Sequence, residues 1–282
     1  MLSPAEARGG GRRRFTLSPR QEYDEYVMQR VEGHKNALSR GELMALAERA
    51  TLALGQGPEE QFVLTEVLVQ QWVDELIKKD LGLTSYRRWS RKVATLREAQ
   101  RQPTHWGLAP DGPLARLVPR IEPGDVAVLA GPRTEDAAGL LCAHHARVTF
   151  LAGDCWSAGR VEDRLEGEAL ADRAQAYVVA FTGWLPAEVQ GRIHVAVFDT
   201  ALLGAVGGAT AHALIEGFRE RTAPGGVHVL LDDPGGLAPD ALRTFYDDWD
   251  EEVPAGGRRG DLQFMRPAYQ SDTAQLAGER VV

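Results

Sequence analysis

The sequence predicts an α/β protein: a mostly parallel sheet covered by helices on both faces and preceded by an all-helical module. Three observations predict it. From residue 19 to 102, apolar residues recur at three- and four-residue spacing with no strand candidate among them. Pro103, Pro110, Pro113, Pro119 and Pro123 then crowd together and rule out a long uninterrupted helix. Beyond them, short and almost continuously apolar runs alternate with helical stretches, the pattern of buried parallel strands joined by crossover helices.

Residues 1–18, with a glycine run before Arg12, Arg13 and Arg14 and little to bury, read as a flexible basic tail. The helical module follows over 19–102. Its first helix carries Tyr23, Tyr26, Val27 and Val31; its second carries Leu43, Leu46 and Leu54 behind Ser39 and Glu42, whose spacing is that of a capping box. A third helix opens at Gly57-Pro58-Glu59-Glu60, with proline and acids suited to a first turn. It runs through Phe62, Val63, Val67, Leu68, Trp72, Leu76 and Ile77 to a stop near Gly82. Thr84 or Ser85 caps a fourth, with Tyr86, Trp89, Val93 and Leu96.

Residues 103–121 are a proline-rich connector, and 122–270 the sheet domain, with 271–282 a C-terminal tail. Within the domain, strands are expected at 125–131, 146–152, 176–182, 193–199 and 226–231, and helices at 135–145, 160–174 and 210–221. A helix-like stretch at 239–249 and a Gly256-Gly257 turn precede a last strand at 262–265. Too few residues remain there for a crossover helix, so this strand is expected to lie antiparallel to its neighbour.

Composition bounds the function. The 282 residues are 44% hydrophobic and 26% charged, the mix of an ordinary globular protein rather than a disordered chain, a collagen or a disulfide scaffold. Cys142 and Cys155 are too few for a disulfide framework, and no apolar run reads as a secretory signal or a membrane span. A cytoplasmic protein without membrane contact is the expectation. A net charge of −8 argues against a surface that coats nucleic acid but leaves room for a local basic patch. There is no C-x-x-C, Gly-x-Ser-x-Gly or P-loop, so hydrolase and nucleoside-triphosphatase readings lack support.

The order of elements, together with the turn Thr222-Ala223-Pro224-Gly225-Gly226-Val227 before a strand, resembles the class I S-adenosylmethionine-dependent methyltransferase fold over about 122–267. That family has a seven-stranded, mostly parallel sheet with an antiparallel last strand and often an N-terminal helical extension. The resemblance implies S-adenosylmethionine as cofactor and a glycine-rich loop after the first strand. Here that loop is Ala130-Gly131-Pro132-Arg133-Thr134-Glu135-Asp136: Gly131 keeps one expected glycine, Pro132 removes an N–H, and Arg133 is able to pair with a carboxylate or phosphate. Arg133, Glu135 and Asp136 also read as solvated first-turn residues. The acid that would hold the ribose falls on Asp154, two residues past the expected position, and the adenine contact on Thr182 and Trp184.

Asp199, ending the fourth strand, is the candidate catalytic group, because ligands of open α/β sheets gather at the carboxyl ends of strands. Asp232 and Asp233 end the fifth strand and would make with it an oxygen set for a hard cation, although no metal is assigned. His194 and His228, inside apolar runs, read as core histidines, and Cys142 as a packing residue, while Cys155 lies near the cofactor edge.

Lys78, Lys79, Arg87, Arg88, Arg91 and Lys92, interleaved with Tyr86 and Trp89, form a basic stretch to which an acidic protein or nucleic acid would bind; the plain alternative is a solvated helix face with Trp89 buried. Two functions follow: a methyltransferase-like enzyme of unknown acceptor, in which Asp199 orients or deprotonates that acceptor, or an inactive methyltransferase-like scaffold that binds a partner through its helices and basic face.

Overall fold

The computed structural model describes residues 17–54, 66–182, 186, 189, 192–252 and 261–267. The chain divides into two compact units between Thr95 and Leu96. The tails expected at 1–18 and 271–282 lie outside the described residues except for 17 and 18, as do the opening of the third helix at 57–60 and Trp184.

In the first unit, α1 (Pro19–Ala37) begins at Ser18, whose hydroxyl accepts from the Gln21 N–H while the Gln21 side chain takes up the Ser18 N–H. The capping box expected at the next helix is formed as well: the Glu42 carboxylate accepts from the Ser39 N–H at 2.8 Å ahead of α2 (Arg40–Leu54). α3 (Glu66–Asp80) ends at Gly82, whose φ of +55° turns the chain in the left-handed region that glycine adopts without strain. Val31, Leu46, Ala50, Val73 and Ile77 make the small core of this unit.

α4 (Tyr86–Gln100) carries most of the basic stretch. Its aromatics are engaged with α1: Trp89 meets the Tyr23 ring edge-on at 5.4 Å, and the Tyr23 hydroxyl donates to the Thr84 carbonyl at 2.9 Å. Trp89 and Tyr86 are therefore packing residues. Lys78 pairs with Glu75, whereas Lys79, Arg87, Arg88, Arg91 and Lys92 form no ion pair among the described residues.

In the second unit, β1 (Val126–Ala130), β2 (Arg147–Ala152), β3 (Ala174–Val178), β4 (Ile193–Asp199), β5 (Thr222–Leu231), β6 (Asp250–Glu251) and β7 (Leu262–Met265) form one sheet in the order β3-β2-β1-β4-β5-β7-β6. β1 to β5 are parallel, and β7 runs antiparallel between β5 and β6. The expected antiparallel last strand is thus present; the two-residue β6 was missed because it has no apolar run to mark it.

Successive side chains alternate across the sheet. Ala127, Leu129, Val195 and Val197 pack under α6 (Glu135–Ala143) and α7 (Cys155–Gly167), while Val128, Ala130, Ala196 and Phe198 pack against the face of α9 (Gly208–Arg221). α8 (Thr200–Val206) and the short α5 (Pro113–Leu117) and α10 (Pro239–Arg243) complete the helices. The helix expected to start at 160 begins five residues earlier, because Asp154 caps it and the sequence reading passed over that cap. The stretch 239–249 holds only one helical turn, and its Tyr246 and Trp249 pack into the core instead.

The proline-rich connector proves to be more than a linker. Trp106, Leu114 and Leu117 are buried in the core, and a Cβ on Gly139 of α6 would overlap the Trp106 ring. Trp106 also donates its indole N–H to the Gln100 carbonyl at 2.7 Å. His228 is a core histidine as expected, bonded to Thr222 Oγ1 at 2.8 Å and to the Tyr246 hydroxyl at 2.9 Å, and burial pushes its pKa down to about 3. His194 is not: its side chain is partly exposed, and its Nδ1 accepts from the Val126 N–H at 3.0 Å.

Candidate functional site

The winding of the sheet reverses at β1, with β2 and β3 on one side and β4 and β5 on the other. Ligands of open α/β sheets bind outside the carboxyl ends of the strands at such a switch point. Four of the residues singled out from the sequence meet there.

Gly131 follows β1 with φ +103°, and a Cβ on it would stand 2.6 Å from that of Asp199. The end of β4 itself therefore requires the glycine. Asp199 is fully buried; its Oδ1 accepts from the Ala201 N–H at 3.0 Å, capping α8, and its Oδ2 accepts from the Arg133 N–H at 3.3 Å. Burial pushes the Asp199 carboxyl above its ordinary pKa, against the pull of those two N–H groups.

The Arg133 guanidinium pairs with Asp233 beyond β5, one of the two partners its sequence context allowed. The Gly235 N–H and that guanidinium hold the Asp233 carboxyl below its usual range. The Asp233 N–H in turn donates to Thr200 Oγ1 at 2.9 Å, which donates to the Leu231 carbonyl at 2.9 Å. The ends of β1, β4 and β5 are tied together by groups that satisfy one another.

Asp154 lies apart from this cluster. Its Oδ1 accepts from the Ser157 N–H at 2.8 Å and its Oδ2 from the Ser157 hydroxyl at 2.9 Å, which makes it the cap of α7. These bonds also keep its carboxyl below the ordinary value. Thr182 is exposed past β3. Of the residues that the resemblance assigns to S-adenosylmethionine, Gly131, Arg133 and Asp154 are each engaged within the chain, and Trp184 lies outside the described residues. Asp199 closes the open side of Gly131, both Asp154 oxygens serve a helix end, and Arg133 is held by carboxylates of its own chain.

Beside the strand ends lies a cavity of about 480 Å³. The segment 107–114, the loop after β1, the first turn of α6, the middle of α7 and residues 231, 232 and 261 enclose it. Its volume is that of a site for a small organic molecule. Arg160 pairs with Glu135, and Arg164 with Asp136 while lying over the Trp106 ring at 5.2 Å. Glu135 is only 8% exposed, which corrects its reading as a solvated first-turn residue. While Oε2 takes the Arg160 pair, Oε1 is buried and accepts no hydrogen bond from the described residues. Leaving such a group unsatisfied costs about 1–3 kcal/mol.

The sequence reading passed over this cavity. Its one available signal was the pair Arg160 and Arg164, four residues apart on one helix, set against adjacent acids opening the helix before it. Asp199, Asp232 and Asp233 do not form an oxygen cage, and no group of three metal-ligating side chains comes together among the described residues.

No protein-family model and no curated protein sequence matches the chain. Solved structures do resemble it. The N-methyltransferase NodS from Bradyrhizobium japonicum WM9 is 16% identical, with a TM-score of 0.44 over 55% of this chain and 92% of that one. The glycopeptide N-methyltransferase MtfA, solved with (S)-adenosyl-L-methionine, is 15% identical, with a TM-score of 0.41 over 55% of this chain and 92% of that one. A putative rRNA methylase from Clostridium thermocellum is 12% identical, with a TM-score of 0.43 over 56% and 94%. NodS has also been crystallised with S-adenosyl-L-homocysteine. The seven-stranded, mostly parallel sheet with its antiparallel β7 is the Rossmann-like sheet of the class I methyltransferase fold; the strand order carries that assignment rather than these scores. No described helix is long and apolar enough to cross a membrane.

Proposed function

We propose that the protein is a catalytically inactive, methyltransferase-like binding protein. It keeps the sheet, holds a ligand in the cavity beside the strand ends, and offers the basic face of α3 and α4 to an acidic partner. The observation that carries this reading is the Arg133 network. Its backbone N–H and guanidinium reach Asp199 and Asp233, so the crevice where the fold would seat S-adenosylmethionine is bridged by the chain itself. Fold alone does not bring the activity with it.

A second reading, a methyltransferase that places S-adenosylmethionine after β1 and uses Asp199 to orient or deprotonate the acceptor, is favoured by one feature. A buried carboxyl with a raised pKa at a topological switch point is the kind of group that active sites use.

Calorimetric titration and thermal unfolding with S-adenosylmethionine and S-adenosylhomocysteine separate the two. Ligand binding to the native state raises the unfolding midpoint by mass action, so even affinities of about 1 mM register at several millimolar ligand. We expect no rise that depends on Asp154. A rise in the parent chain that Asp154→Ala abolishes would overturn the inactive reading and put the nucleoside at the end of β2.

A further inference from the structure

Arginines of the sheet unit are matched with carboxylates: Arg133 with Asp233, Arg160 with Glu135, Arg164 with Asp136 and Arg243 with Glu251. On α4 the rule fails. Arg87, Arg88, Arg91 and Lys92 are exposed and have no counterion among the described residues, and neither has Lys79 at the end of α3. From Leu81 to Arg97 the chain carries no carboxylate at all, although its net charge is −8. Like charges four residues apart, as in Arg87 with Arg91 and Arg88 with Lys92, destabilise a helix, and an outside anion relieves that cost.

The four cations are ordered on α4. At about 100° per residue, Arg87 and Arg91 make one row along the helix, and Arg88 and Lys92 a second row about 100° further round. On the opposite side Tyr86 meets Tyr23 at 5.5 Å, and Trp89 meets Tyr23 and Tyr26 at 5.4 and 6.0 Å. These aromatic contacts fix the rotation of α4 and turn both rows outward. The residue that falls between the rows is Thr95, and no large apolar side chain of α4 stands there.

That pattern selects among anionic partners. A protein interface is centred on aromatic or aliphatic anchors inside a polar rim, and this face has no such anchor. Single-stranded nucleic acid is held by aromatic rings on which bases stack, whereas Tyr86 and Trp89 are spent on α1. A double helix asks only for cations along its phosphates. An α-helix about 10–12 Å across fits the major groove of B-form DNA, about 12 Å wide, with a phosphate strand on either flank. The deep, narrow major groove of A-form RNA does not admit it.

We propose that α4 lies in the major groove of duplex DNA, with Arg87 and Arg91 on the phosphates of one strand and Arg88 and Lys92 on those of the other, without reading the base sequence. The proposal rests on the reading of this basic face as the contact for an acidic partner and names that partner; it is independent of methyl transfer.

The test is fluorescence anisotropy of a labelled, mixed-sequence DNA duplex titrated with the full chain, with the matching RNA duplex, the single DNA strand and poly-L-glutamate measured as competitors at equal charge. The DNA duplex should bind with a Kd on the order of 10 μM at low salt, and log affinity should fall against log salt with a slope of about −3.6, the value for four phosphate contacts. Arg88→Gln should reduce that slope by about one. The combined change of Arg87, Arg88 and Arg91 to Gln, which keeps the helix propensity of α4, should abolish binding. Arg243→Gln, on the sheet unit, should bind like the parent.

No binding of the DNA duplex, binding that the triple variant retains, or competition by the RNA duplex, the single strand or poly-L-glutamate as strong as that of unlabelled DNA would overturn the proposal. Equal competition by poly-L-glutamate would leave the broader reading of an acidic partner standing. That reading fails as well where neither DNA nor poly-L-glutamate binds at low salt.

Discussion

Two polar regions of the sheet unit lie side by side and differ in one respect. At the switch point, Gly131, Arg133, Asp199, Thr200 and Asp233 are packed and bonded to one another. In the neighbouring cavity, charges of both signs face open volume, and behind its wall one buried Glu135 oxygen has no donor among the described residues. A polar cluster that satisfies itself stabilises the fold and resists a ligand, because any newcomer must replace bonds already made. A cluster that leaves a buried group unpaired carries the cost of that group instead.

The largest way to break the contrast is to collapse the cavity wall. Trp106→Ala should destabilise the sheet unit by about 4 kcal/mol, since it removes a buried indole and leaves a void, and urea unfolding measures it. Next comes the switch point: Gly131→Ala forces a methyl group onto Asp199 at a positive φ and should cost about 3 kcal/mol. An unchanged midpoint for that variant would mean the strand ends are looser than described.

Acid tests a third buried polar group, one that is fully bonded. His228 takes up its proton near 6.5 when unfolded and near 3 when folded, so between those values the unfolded chain binds the extra proton. Stability from this group is complete above pH 6.5 and falls as the pH drops toward 3. The loss is on the order of a few kcal/mol, and His228→Gln should flatten the dependence of unfolding on pH.

Asp154→Ala should cost about 1 kcal/mol as a lost helix cap, and a much larger effect would point to a role beyond the cap. Smallest per site is the triple reversal of Arg87, Arg88 and Arg91 to Glu, which should shift stability by no more than about 0.5 kcal/mol at each position. It should nevertheless abolish retention on immobilised poly-L-glutamate; undiminished retention would remove the basic face from the proposed function.

What the sequence made legible follows the same division. Strands buried on both faces announce themselves, and β4 and β7 span the expected residues because a continuous apolar run has few other uses. Caps were legible at Ser39 and missed at Asp154, where a turn aspartate, a ribose ligand and a helix cap look alike until Ser157 is seen below it. Asp199 was placed correctly at the end of β4, yet its burial and its bonds to Ala201 and Arg133 are tertiary facts. Glu135 was misread for a related reason. An acid at a first helical turn is favoured by the helix dipole in water or out of it, so its residue type says nothing about whether α7 covers it.

The seat of Trp106 on Gly139 has an evolutionary corollary. The strip 107–114 that walls the cavity begins at that indole, and the absent side chain of Gly139 sets how deeply the indole sinks. Residue 139 thus works as a spacer at some remove from any ligand: adding one methyl there, with a smaller ring at 106 to receive it, would move a whole wall and change which molecules fit. In descendants of this chain, those two positions should change together or not at all.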